Sequence, residues 1–372
     1  MLNGHGEPIV GRGPDDVEEI KSTVLELNRG GYRYQAPMYF GTGKNKARMA
    51  FDTGSSYTVV TSDICQRCHS KIYRPGTSDL EENLGTQWAI DISQAGQDVN
   101  LKVMAFTDLV CLGDGQEFCA DDFKFYPIYE EQGLSPHEDG IIGIAPKQTQ
   151  QKRSKDGPSF IDTLKKQGKI QRAVVSLFVS RFKSKPHSIQ IGDYDESFVH
   201  GGEKNLEWYS LTVDNLGYKW QTDLTDAYIG KHKLFTHDFK WVEVNAGYSG
   251  IGLTSEDFEK ASMRLLDASP ADIYCNDEHC FGKHACSKYR NKIPDLKLTL
   301  SNRITYTIPG HKLVESRNII VGSGKYECEL LIFNSGDHYQ LGSIFLEDYY
   351  SVYDIDNFKL GLGKVVDFEP VP

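Results

Sequence analysis

Phe51-Asp52-Thr53-Gly54-Ser55-Ser56 is the stretch that decides the fold. The run from Ala47 to Phe51 leads into it and reads as a strand, with the acid at the strand's end. Gly54 lets the backbone turn tightly and approach another segment closely. Thr53 and Ser55 carry short hydroxyls that hydrogen-bond a carboxylate or neighbouring backbone. An acid held by small donors is a candidate working carboxylate. An ordinary aspartate at a strand-to-turn junction gives the same tripeptide, so the rest of the chain must separate the two readings.

Working outward, Met38 to Thr42, a Gly-Lys-Asn-Lys turn and Arg48 to Phe51 read as a hairpin feeding Asp52. Far downstream stands Glu138-Asp139-Gly140-Ile141-Ile142-Gly143-Ile144, an apolar-apolar-Gly segment. Leu341-Gly342-Ser343-Ile344-Phe345-Leu346 is its counterpart near the end, followed by Tyr349 to Asp354 and Leu360-Gly361-Leu362. Gly217-Tyr218-Lys219-Trp220-Gln221 lies between them. In this order, over residues 24 to 372, these segments resemble the pepsin-like aspartic protease family. The resemblance implies a mostly all-β, bilobal fold with a few short helices. It implies residues 1–22 as a flexible extension or propeptide remnant, 23–186 as an N-terminal lobe with the Asp52 loop and a flap, and 187–372 as a C-terminal lobe.

Composition fits this outline. A chain of 372 residues with 39% hydrophobic content can bury two domains or one large bilobal unit. A net charge of −11 argues against nucleic acid and anionic membrane as partners. No apolar run is long enough to span a membrane. The first twenty residues, with Asp15, Asp16, Glu18 and Glu19, lack a signal-peptide core, and no Asn-x-Ser/Thr sequon occurs.

The eight cysteines nevertheless favour an oxidising compartment: the secretory pathway, a lysosome or vacuole, or the exterior. They stand at Cys65, Cys68, Cys111, Cys119, Cys275, Cys280, Cys286 and Cys328, four in each expected lobe. Sequence alone does not fix their pairing. The pairing adopted is 65–68, 111–119, 275–280 and 286–328, the last resembling the family's second-lobe bridge. Cys65-Gln66-Arg67-Cys68-His69 also matches a c-type haem attachment signature, and Cys275 to Cys286 with His279 and His284 offers a zinc alternative. The resemblance implies no cofactor and no metal.

The chemistry of this family needs two aspartates that share one proton, one acting as base on a bound water and the other donating to the peptide carbonyl. Asp52 supplies the first. The second should follow a hydrophobic strand, and Trp241-Val242-Glu243-Val244-Asn245-Ala246-Gly247-Tyr248-Ser249 stands there. Gly247 and Ser249 match, Asn245 takes the aspartate's place, Ala246 replaces a bracing threonine, and Tyr248 takes the next hydroxyl position. An amide neither titrates in the working range nor passes a proton to substrate.

Two further departures concern the flap and the stretch after the first loop. The family's tryptophan after the first loop is Val59 here, and Ile90 to Met104 contains no tyrosine, with Gln94, Gln97 and Asp98 at the turn. Tyr57 is the alternative source of a hydroxyl over the site. The leading expectation is a monomer with a peptide- or protein-binding interlobe cleft and impaired catalysis. The alternative is an active aspartic endopeptidase working at acid pH. Either way, Asp52 and Asn245 should face each other across one cleft.

Among other elements, Thr23 to Leu27 reads as the first strand, Ile161 to Gly168 as a short helix, and Val174 to Ser180 as a strand linking the lobes. Ser188 to Asp195 opens the second lobe. Thr254 to Ala268 reads as a helix with Ser255 as N-cap and Phe258, Met263 and Leu266 at helical spacing. Residues 293 to 334 read as strands.

Overall fold

The computed structural model describes residues 21–30, 33–94, 97–113, 115, 117–146, 159–181, 185–212, 219–235, 240–322 and 324–368, with backbone alone at 30, 91–94, 97 and 98. The expected extension therefore lies, except for Lys21 and Ser22, outside the described residues. Strands dominate and form two sheets. One has thirteen strands. It begins with Glu207–Ser210, Lys359–Lys364, Tyr349–Asp354, Val174–Phe178, His187–Ile191 and Thr23–Gly30, then continues through the N-terminal half to the hairpin Glu82–Gln94 and Gln97–Leu112. The other has eleven strands, all from Gln221 onward. Helices are few: Phe160–Lys166, Ser255–Ala268 and Ser343–Leu346.

Burial follows the residue pattern. All five residues of Val174–Phe178 are buried, as a central strand covered on both faces requires. Val314–Val321 alternates between half-buried and exposed residues along most of its length and sits at an edge, pairing among the described residues with Gly324–Gly336.

Each half repeats one crossing. Asn45–Asp52 runs parallel to Gly140–Gly143, which pairs antiparallel with Thr58–Thr61, which in turn pairs parallel with Cys119–Gln132. In the second half Lys240–Val244 runs parallel to Tyr339–Leu341, which pairs antiparallel with Ile251–Thr254, itself parallel to Gly324–Gly336. Glycine is required where these strands cross. A methyl group on Gly143 would lie 2.4 Å from the Ser55 carbonyl oxygen, and one on Gly342 would lie 2.4 Å from that of Gly250.

Four disulfides close Cys65–Cys68, Cys111–Cys119, Cys275–Cys280 and Cys286–Cys328, matching the expected pairing. They consume the thiols that a haem or a zinc would have needed. His69 is also engaged, its Nδ1 2.9 Å from Glu131 Oε1 and its Nε2 2.7 Å from the Glu138 carbonyl oxygen. A thiol titration of unreduced, denatured protein is expected to find almost no free thiol. Most of the cysteines reading as free would overturn an oxidising compartment.

Two local readings are corrected. The N-cap of Ser255–Ala268 is Thr254, not Ser255. Thr254 Oγ1 donates to Asp257 Oδ2 at 2.9 Å, while Ser255 Oγ reaches away to Asn334 Oδ1. Met263 faces solvent, and the buried face is formed by Asp257, Phe258, Ala261, Ser262 and Leu265. The stripe was misplaced because a small and two polar residues carry more than half of it. Ser188 to Asp195, expected to begin the second lobe, lies partly in His187–Ile191, which pairs with Thr23–Gly30 and Val174–Phe178.

Candidate active site

Asp52 ends its strand opposite Gly143. Its carbonyl oxygen accepts from Ile144 N at 2.9 Å, and its Oδ1 accepts from Gly54 N at 2.8 Å. Asn245 repeats this geometry at the end of Lys240–Val244. Its N–H donates to the Leu341 carbonyl at 2.9 Å, and its Oδ1 accepts from Gly247 N at 2.8 Å. The structure brings the two side chains together. A methyl on Gly247 would lie 3.0 Å from both Asp52 Oδ1 and Asn245 Oδ1, so those oxygens are no farther apart than twice that distance. One on Gly54 would lie 2.4 Å from Asn245 Nδ2. Both glycines exist because the loops nearly touch.

Thr53 ties the loops. Its Oγ1 donates to the Val244 carbonyl at 3.0 Å and accepts from Ala246 N at 2.9 Å. Ala246 carries only a methyl and has no hydroxyl to return the pair of bonds. Trp220 adds a second tie, its Nε1 donating to the Ile144 carbonyl at 2.9 Å. Ser55 Oγ is buried without a hydrogen-bond partner, and Tyr248 stacks on Phe333 with centroids 5.4 Å apart.

Residues 33–365 match the family model described as eukaryotic aspartyl protease. The chain belongs to that family. Among its curated relatives are pepsin A of Bos taurus, 24% identical over 94% of this chain and 89% of that protein, and cathepsin E-A of Xenopus laevis, 25% identical over 91% and 81%. A probable aspartic-type endopeptidase CTSD of Trichophyton verrucosum is 26% identical over 91% of this chain and 63% of its own length.

Within this aspartyl protease framework, Asp52 and Asn245 occupy corresponding ends of the repeated crossing. The hairpin expected as the flap has Gln94 opposite Gln97 and Ser93 opposite Asp98. The side chains of Gln94, Gln97 and Asp98, and residues 95–96, lie outside the described residues. Beneath the hairpin, Val59 is fully buried among Ile90, Val99, Leu101 and Tyr126. Trp88, carried by the hairpin itself, packs on Tyr126 at 5.3 Å with Lys124 Nζ 4.9 Å above its ring. Tyr57 packs edge-on against Tyr126 in the same cluster.

Two groups of charges near this aspartyl protease site escaped the sequence reading. Arg33 and Glu138 are both buried, with Arg33 Nη1 3.6 Å from Glu138 Oε2. Burial pushes the Glu138 carboxyl up; Arg33 opposes this and the Asp52 charge adds to it. The second group is Lys219, Glu243 and His338. Glu243 Oε2 lies 3.1 Å from His338 Nε2 and 3.3 Å from Lys219 Nζ. Burial works against the Glu243 charge, but the His338 hydrogen bond and Lys219 outweigh it and hold the carboxyl below its usual range. Burial likewise opposes the imidazolium of His338, yet its bonds to Glu243 and to Asp337 win and raise its pKa. The available signal was period two: a glutamate inside Val-Glu-Val, two residues before Asn245, points the same way as Asn245. Among the described residues no group of three or more metal-ligating side chains is assembled, and no helix is long and apolar enough to cross a membrane.

Proposed function

We propose that this family member holds peptides or proteins in the cleft between its lobes and hydrolyses them poorly or not at all. Asp52 keeps its strand, its turn and the Gly54 N–H that receives its Oδ1. The observation that carries the reading is the amide of Asn245, which stands where a second carboxyl would have to share a proton with Asp52. Asp52 can still orient a water as a base. No neighbouring acid then delivers a proton to the departing amine, and losing a general acid costs about 10²- to 10⁴-fold in rate. Ala246 adds to the defect, because a catalytic loop braced from one side only is free to drift, and an error of about 1 Å can cost about 10²-fold.

A cleavage assay on acid-denatured protein substrate tests this across pH 3 to 7, beside bovine pepsin A. The expected result is turnover at least about 10²-fold below that enzyme at every pH, with a transition-state-mimic peptide still binding. Robust turnover at pH 3 to 5 that disappears in Asp52→Ala would instead establish the second reading, an active acid endopeptidase. The intact Asp52 loop favours that alternative. The four disulfides support residence in an oxidising compartment, and the lobes divide near residue 186 in this reading.

A further inference from the structure

Asn245 has a partner two residues upstream whose chemistry suits an amide and not an acid. Glu243 sits on the same strand face, its side chain fully buried. Glu243 Oε1 accepts from Asn245 Nδ2 at 3.1 Å. Its other oxygen is occupied by His338 and Lys219. Asn245 Oδ1 meanwhile accepts from the Gly247 N–H. The neighbours decide which end of the amide is which: a backbone N–H demands oxygen, and an ionised carboxylate demands N–H.

We propose that Glu243 is a positioning residue that requires an amide at position 245, holding its N–H as a donor and excluding a carboxylate from that place. The inference rests on the reading of Asp52 and Asn245 as the facing pair of the cleft. It makes Asn245 one member of a matched set rather than an isolated replacement. An aspartate there would set two carboxylates about 3 Å apart in a buried site, with Asp52 across the cleft as a third. The other groups facing Glu243 are Lys219, His338 with Asp337 on its far nitrogen, and the Tyr353 phenol. The two cationic ones contact Oε2, away from Asn245. The new pair would have to retain a proton.

The polarity of this couple can be reversed. Glu243→Gln with Asn245→Asp keeps one amide facing one carboxylate, but moves the carboxylate to the cleft. Thermal melts of the parent, Asn245→Asp, Glu243→Gln and the double variant at pH 7 and pH 4.5 test the proposal. Asn245→Asp is expected to melt about 5 °C or more below the parent at pH 7. Its retained proton means a folded pKa raised above the unfolded value near 4, so the deficit grows as pH rises and shrinks at pH 4.5. The double variant should recover most of that loss. A single variant melting with the parent at pH 7, or a double variant losing the sum of the singles, would overturn the proposal. If Asn245→Asp does not fold, a folded double variant supports the couple, and an unfolded double beside a folded Glu243→Gln refutes it. Cleavage is scored separately. The double variant should show acid-dependent cleavage abolished by Asp52→Ala. A well-folded double variant without it leaves the couple standing and counts against a missing carboxyl as the block.

Discussion

Gly140→Ala is expected to cost more than about 4 kcal/mol, a large share of the roughly 5 to 15 kcal/mol that holds a protein folded. The added methyl would lie 2.1 Å from the Val59 carbonyl oxygen and 2.9 Å from the Met49 sulfur. Met49 can swing aside. Val59 cannot, because its carbonyl belongs to a strand that pairs with Gly140–Gly143 on one side and Cys119–Gln132 on the other. Overpacking that flexible side chains absorb costs about 1 to 3 kcal/mol; a backbone collision at the crossing exceeds that. Because Asp52 pairs three residues along the same ladder, any surviving folded fraction should also lose affinity for cleft ligands. Gly76→Ala is the control. It faces open space at φ +81°, so only the backbone preference of about 1 kcal/mol is lost. Urea denaturation read by fluorescence measures both, and equal midpoints would refute the crossing argument.

Asp257→Asn should be the most costly single charge removal in the C-terminal lobe. The Asp257 carboxylate is fully buried and receives Lys240 Nζ at 2.7 Å, Thr254 Oγ1 at 2.9 Å and the Tyr339 hydroxyl at 2.9 Å. Burial opposes its charge, but these three donors outweigh burial and hold the carboxyl below its usual range. The variant leaves Lys240 without its anion, and breaking a buried pair costs about 3 to 5 kcal/mol. A folded pKa below the unfolded value near 3.9 means the stability is present above that value. It is lost as pH falls through the folded one. Denaturant midpoints of parent and variant should therefore differ fully at pH 6 and converge below about pH 4. A gap that persists unchanged to pH 2 would show that shape, not charge, is at stake.

The fold was legible because its decisive residues are backbone-determined. Glycines at 54, 143 and 342 mark places where an added methyl would collide at 2.4 Å, and Gly247 marks a place where it would be tight at 3.0 Å; such places leave a written trace in sequence. The repeated crossing could be read for the same reason. The face of Ser255–Ala268 could not, because Asp257 and Ser262 are buried polar residues that periodicity counts as exposed. The facing of Asp52 and Asn245 was readable from matched strand contexts. The Lys219, Glu243 and His338 group was not. Its members are more than twenty residues apart along the chain at the closest, and nothing local in Lys219 or His338 announces a shared carboxylate. The Arg33 and Glu138 pair was hidden similarly, across more than a hundred residues.

The sheet between the lobes also sets a timetable. Val174–Phe178 lies between His187–Ile191 and Tyr349–Asp354. Its first neighbour emerges from a ribosome almost at once, whereas its second is synthesised after nearly half the chain has followed. During that interval a strand whose five residues are all buried in the finished fold, four of them apolar, presents an open edge, the feature that invites pairing with strangers. Completion then adds Lys359–Lys364 and finally Glu207–Ser210, made long before but left waiting for a partner. The pairing of this sheet is thus completed only by the last strands of the chain, and until they are made one edge of Val174–Phe178 has no partner from its own sheet.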